Sequence, residues 1–282
     1  MTAPFEIVRP FVSTPVVYDS PHSGRFYPSD FSSNALPLEL RRGEDAYVDE
    51  LLTGAPACGV TVLAATYPRC YIDLNRELTD IDPALLAEPW PEPLAPTEKS
   101  ARGLGLIRRY VTPGVEAQAR PQTVGEVQAR IDRVYRPYHA VLDALVAETH
   151  ARHGFVLHVD WHSMKSVGNA MTPDGVGARR ADFVVSDVHG RSASTRVTEL
   201  VVETIRSFGY TASVNVPYAG GAIVQRLGRP WAGVHSVQVE VNRSLYLDEL
   251  SSCKTSEFCK LASRLDSLAR DLVLAALAGF LR

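Results

Sequence analysis

His158, Asp160 and His162 alternate within the run GFVLHVDWHSM, which otherwise reads as a buried strand. A strand repeats every two residues, so all three side chains leave from one face. Ionisable groups in an apolar strand cost free energy unless they are paired or bind a metal. Imidazole with carboxylate suits a divalent ion, zinc first. The same residues also fit a core histidine satisfied by hydrogen bonds and an aspartate capping a strand end. The segment alone leaves both readings open.

Five other segments carry groups able to do chemistry. In Asp19-Ser20-Pro21-His22-Ser23-Gly24 a turn at Pro21 and Gly24 either aims His22 over a sheet edge or leaves it as an exposed loop histidine. Glu44 and Asp45 precede Val48 and Leu51, where acids often cap a helix; either could instead ligate a metal. Arg69 and Arg76 bracket RCYIDLNR; fully extended, they stand about 20 Å apart, so one anion reaches both only if the chain turns. A guanidinium beside an amide, as in Asn75-Arg76, suits a substrate carboxylate, although an Asp73–Arg76 structural pair would use the same residues. Gln238 and Glu240 share a strand face, where burial should raise the glutamate and suit it to act as a general base; a buried ion pair with arginine is the alternative. Gly220 and Gly221 permit close backbone approach to a ligand, without the pattern of a dinucleotide or Walker A loop.

The elements that must hold these groups alternate along the chain. Strands are expected at TPVVYDS, GVTVLAATY, CYIDLNR, GFVLHVDWHS, DFVVSD, YTASVNV and HSVQVEVNR. Helices are expected near 38–53, from Val127 to Leu145 with a kink at Pro137, near 195–208, and at the C-terminus on the stripe Phe258, Leu261, Leu265, Leu268 and Leu272. Residues 77–121 are rich in proline and glycine and read as a loop insertion. The alternation predicts one α/β domain over 1–282, with a mostly parallel mixed sheet flanked by helices and ligands at the carboxyl ends of strands.

Composition narrows the class. With 282 residues, 45% hydrophobic, 22% charged and a net charge of −3, the chain reads as an ordinary globular protein with no electrostatic case for nucleic acid. No segment reads as a signal peptide or membrane span. Cys58, Cys70, Cys253 and Cys259 form no CxxC pair and read as free thiols in a cytoplasmic protein.

Together the segments SPHSG, the acidic pair before AYVDEL, YPRCYIDLNR, YRPYH, VDWHS, ADFVVSDVHG, PYAGG and HSVQVEVNR resemble, in order, the N-formylglutamate amidohydrolase family. That resemblance implies a phosphorylase/hydrolase-like, zinc carboxypeptidase-like fold. It also implies an amidohydrolase, with one zinc per chain, that removes an N-acyl group, formyl in the type enzyme, from a small amino acid. By the resemblance, His22, Asp45 and His162 are the metal ligands and Glu240 the general base. Asn75 and Arg76 hold the substrate carboxylate, with Arg69, Gly220, Gly221 and Arg226 also expected at the substrate. Asp160 is expected behind the metal and His158 in the core. Gln225-Arg226 stands where the family carries an arginine–histidine pair, and the segment after Arg76 differs as well; both bear on the specificity pocket.

Two other classes compete. An arginase-like dinuclear metallohydrolase would explain His-x-Asp-x-His but needs more carboxylates. A non-catalytic carboxylate-binding protein would not need the ligand set and Glu240 together. A serine hydrolase on Ser20 or Ser163 lacks a nucleophile elbow. Oligomeric state leaves no signature in the sequence.

Overall fold

A computed structural model describes residues 2–279, so Met1 and residues 280–282 of the expected domain lie outside it. Its strands run β1 (Phe5–Val8), β2 (Val16–Ser20), β3 (Thr61–Ala65), a small hairpin β4 (Tyr110–Thr112) and β5 (Val115–Glu116), β6 (Val156–Met164), β7 (Phe183–Ser186), β8 (Ala212–Val214) and β9 (Val234–Asn242). The seven-stranded sheet has the order β1-β3-β2-β6-β9-β7-β8. β3, β2, β6 and β9 run parallel, whereas β1 and the β7–β8 pair run against them. This is a single-domain α/β fold with a mostly parallel mixed sheet.

Helices cover both faces. α1 (Pro37–Gly43), α2 (Val48–Leu51), α3 (Glu98–Ala101), α4 (Val124–Arg130), α5 (Arg136–His153), α6 (Thr195–Ser207), α7 (Ala222–Leu227) and α8 (Phe258–Leu277) follow in chain order. On one face Tyr18, Leu157, Val159, Trp161, Val237 and Val239 pack against α6 and α8, and the expected α8 stripe is buried there. The other face meets α4, α5 and α7 through Val17, Val127, Tyr138, Leu142 and Ile223.

That second face carries the polar residues. Parallel register pairs His158 with Ser236, Asp160 with Gln238 and His162 with Glu240, and sets Asp19 beside Asp160. The result is a ladder that grows more polar toward the carboxyl ends of β2, β6 and β9. Its lowest rung is closed: His158 meets Asp19 at 2.9 Å and Ser236 at 2.8 Å, and the Tyr138 hydroxyl donates to Asp19. His158 is therefore a core histidine.

Three expected elements differ. The helix near 38–53 is broken into α1 and α2, because Glu44 is extended and Tyr47 takes a left-handed φ of 66°. That break lets the two acids face different ways. CYIDLNR is a turn, not a strand: the Asn75 N–H donates to Asp73 Oδ1, folding the backbone back on itself. Ahead of Pro137, which lacks an N–H, the kink is a π segment over Ile131–Tyr135. The edge strand β1 and the short α7, neither expected from sequence, also form.

Candidate metal centre and anion cavity

His22 lies just past the end of β2, Asp45 in the break between α1 and α2, and His162 near the end of β6. The Asp45 N–H donates to the His22 carbonyl, tying the two loops together. His22 Nδ1 lies 3.4 Å and His162 Nδ1 3.1 Å from the same oxygen, Asp45 Oδ2. All three are at most 2% exposed. They are the one His/Cys/Asp/Glu group among the described residues spaced to hold a metal ion. Glu44, also buried, turns instead to the Tyr27 hydroxyl and to Arg41.

Each of the three side chains is held from behind. Asp45 Oδ1 accepts from Arg69 at 3.2 Å and Arg243 at 3.0 Å, which leaves Oδ2 facing the two rings. His22 Nε2 meets Asp73 Oδ1 at 2.7 Å. His162 Nε2 lies 2.8 Å from Asp160 Oδ1, and the Asn75 amide touches both residues. Carboxylates on both Nε2 atoms favour protons there, so each Nδ1 presents a lone pair to the centre. His22 Nδ1 is buried with no hydrogen-bond partner. An orphaned imidazole nitrogen beside a carboxylate oxygen is what a cation ligand set leaves when the rest of the shell is satisfied. These residues fit a zinc site with three protein ligands.

The electrostatics are divided. Burial, then the Arg69 charge, lowers His22. Burial works against Asp45 and Asp73, yet Arg69 and its neighbours hold both well below the usual carboxylate range. Burial raises Glu240 above the ordinary glutamate value. Its carboxylate accepts from Gln238 at 2.9 Å and makes no ion pair among the described residues, so the arginine pairing weighed from sequence is not formed.

A cavity of about 270 Å³ opens over His22, His162 and Glu240. Nine lysine and arginine side chains line it against two glutamates, a balance that favours an anionic ligand. The 77–121 segment builds one wall with Lys99, Leu104 and Arg108.

The expected substrate residues separate into groups. Arg69 lines the cavity, but its guanidinium is divided between Asp45 and Asp73. Arg76 spends Nε on the Leu104 carbonyl and Nη1 on the Asn75 carbonyl, keeping Nη2 without a partner. The Asn75 amide nitrogen donates to Asp160 and Gln238 and lies 3.0 Å from His162 Nε2, and its oxygen accepts from the Ile223 N–H, so its amide is committed to the wall. Gly220 and Gly221 line the cavity. The Gly221 N–H is taken by Gln238, and a Cβ there would fall 2.3 Å from the Asn75 side chain. The close approach that glycine permits is therefore to Asn75. Arg226 corrects the sequence expectation: it lies outside the cavity lining, where Asp143 and His139 on α5 draw its guanidinium away.

Asp73, Arg108 and Arg243 were missed as parts of the centre. Asp73 stands two residues before Asn75, a spacing compatible with one site, but its partners are far away in sequence. The arginase-like reading lacks a second ligand set among the described residues.

The fold and cavity define a single-domain α/β protein whose polar groups collect at the carboxyl ends of parallel strands. A family model for N-formylglutamate amidohydrolase matches residues 14–247, and the chain belongs to that family. It is 27% identical over 248 residues to an N-formylglutamate deformylase of Pseudomonas putida, covering 83% of this chain and 82% of that protein. A crystal structure of N-formylglutamate amidohydrolase from Ralstonia eutropha JMP134 superposes with a TM-score of 0.91 at 40% identity, covering 99% of this chain and 100% of the other. A gene product of Agrobacterium tumefaciens, with TM-score 0.69 and 15% identity over 99% of this chain and 96% of its own, shares the fold. No helix among the described residues is long and apolar enough to cross a membrane.

Proposed function

We propose that this chain is a zinc-dependent amidohydrolase that converts N-formylglutamate to formate and glutamate. One observation carries the reading: two histidine Nδ1 atoms converge on Asp45 Oδ2, one of them without any other partner, at the floor of a cationic cavity. His22, Asp45 and His162 would hold the ion. When bound, zinc lowers the pKa of water and polarises the amide carbonyl. Glu240, raised by burial, takes a proton from the attacking water and passes it to the departing nitrogen as the C–N bond breaks. The Nη2 edge of Arg76 receives a substrate carboxylate, while Asn75 fixes the wall beside it. Asp160 sits behind His162 and orients its ring. The named activities of the Pseudomonas and Ralstonia relatives support the same substrate.

The test is a hydrolysis panel. Zinc-loaded protein should release glutamate from N-formyl-L-glutamate faster than it releases amino acid from N-formyl derivatives of neutral residues. Turnover of none of them, with tight binding of the dicarboxylate, would favour a carboxylate-binding protein on this fold.

A further inference from the structure

We propose that Lys99, brought to the cavity by the 77–121 segment, recognises the second carboxylate of a dicarboxylate N-acyl amino acid. The inference rests on the amidohydrolase reading above and names the residue that would select the acidic side chain.

Lys99 lines the same cavity as His22, His162 and Glu240, and among the described residues its ammonium has no hydrogen-bond or ion-pair partner. Two other donors stand close by. Arg76 has Nη2 free, as above. Arg108 donates through Nε to Asp73 at 3.1 Å and, among the described residues, has no partner at either terminal nitrogen. All three residues line the cavity, and none of these terminal nitrogens is among the fully buried, unpartnered atoms. Two acids lie nearby: Asp73 is already shared by His22, Arg69, Arg108 and the Asn75 N–H, and Asp80, 4.0 Å from Arg76 Nε, accepts from the Thr97 N–H and hydroxyl.

The mutual repulsion is visible in their acidities. Lys99 is exposed to the solvent of the cavity, and the Arg76 charge beside it pushes its ammonium down to about 8. Burial, then Arg69 and Arg76, pushes Arg108 down to about 9. An anion placed among these groups would reverse both shifts. One carboxylate at Arg76 leaves Lys99 and the outer edge of Arg108 unmatched, so the wall has the charge for a second.

The remaining cavity cations have partners or counter-charges of their own: Arg42 donates to the Leu250 carbonyl and Arg102 stands 3.8 Å from Glu98. Arg180 is held by Asp174 and the Lys165 carbonyl. Arg243 is held by Ser163, Asp45 and the Arg42 carbonyl. Lys165, lowered by burial and then by Arg243, has Glu249 beside it as a partial counter-charge.

The experiment compares kcat/KM for N-formyl-L-glutamate and N-formyl-L-glutamine, its isostere with a neutral side chain, in the wild type, Lys99→Met, Lys99→Arg and Lys165→Met. Loss of one charge-assisted contact should lower the glutamate-to-glutamine ratio about tenfold to a hundredfold in Lys99→Met. Lys99→Arg should recover part of it, and Lys165→Met should leave it within about twofold. An unchanged ratio in Lys99→Met, or a ratio that moves with Lys165 instead, overturns the proposal. If the wild type turns over neither substrate, the amidohydrolase reading fails. Calorimetric binding of L-glutamate against L-glutamine by the same variants then decides the role of Lys99 by the same ratio.

Discussion

Asp73 Oδ1 sits 2.7 Å from His22 Nε2, while Nδ1 on the other side of the ring faces Asp45 Oδ2 at 3.4 Å. The contact fixes both the tautomer and the ring angle, because Nε2–H must donate for Nδ1 to keep its lone pair. Asp73→Asn should therefore weaken zinc binding about tenfold to a hundredfold, the usual effect of removing a carboxylate behind a ligating histidine. Competition with a chromogenic chelator reads this directly. An affinity equal to wild type would sink the assignment.

Glu240→Gln should cost about a hundredfold to ten-thousandfold in kcat while leaving zinc content intact. The pH profile carries a sign. Glu240 must be ionised to accept a proton, and burial raises it above its ordinary 4.5. Activity should thus be lost as pH falls through a value higher than 4.5 and be retained above it. An acid limb at or below the ordinary glutamate value would speak against Glu240 as the base.

Gly221→Ala puts a methyl group 2.3 Å from the Asn75 amide oxygen. Asn75 cannot move without losing contacts to Asp160, His162 and Gln238. Destabilisation of about 1–3 kcal/mol by overpacking is expected, together with lost turnover. Denaturant unfolding and steady-state kinetics on one preparation check both. A variant as stable and active as wild type would show that the Asn75 wall is not rigid.

Arg226→Ala should leave KM within about twofold, since its guanidinium serves Asp143 and His139 and does not face the cavity. A tenfold rise in KM would place the side chain at the substrate after all.

The sheet was legible because β6 and β9 are apolar runs whose period of two survives their polar insertions. His22, Asp45, His162 and Glu240 were legible as candidates because their types stand out against those surroundings and their segments follow the family's order. Asp73 was harder to read. Its neighbour Arg76 suggested a local ion pair, and only the turn at residues 70–76 carries it to His22. Arg243 and Asp45 are 198 residues apart in the chain, so no local pattern reveals their contact. The broken helix followed from tertiary demand: periodicity over 38–53 favours one helix, but burying Glu44 and Asp45 in different directions requires the extended Glu44 and left-handed Tyr47. Arg226 was misplaced because the GG turn leads into α7, which turns that side chain toward α5.

The most direct test is to strip the protein with a chelator and titrate zinc back while following glutamate release from N-formyl-L-glutamate. The three-ligand centre of His22, Asp45 and His162 requires negligible activity without metal. It also requires a linear rise that ends at about one zinc per chain. Full activity after stripping, or a break at two ions per chain, would contradict it.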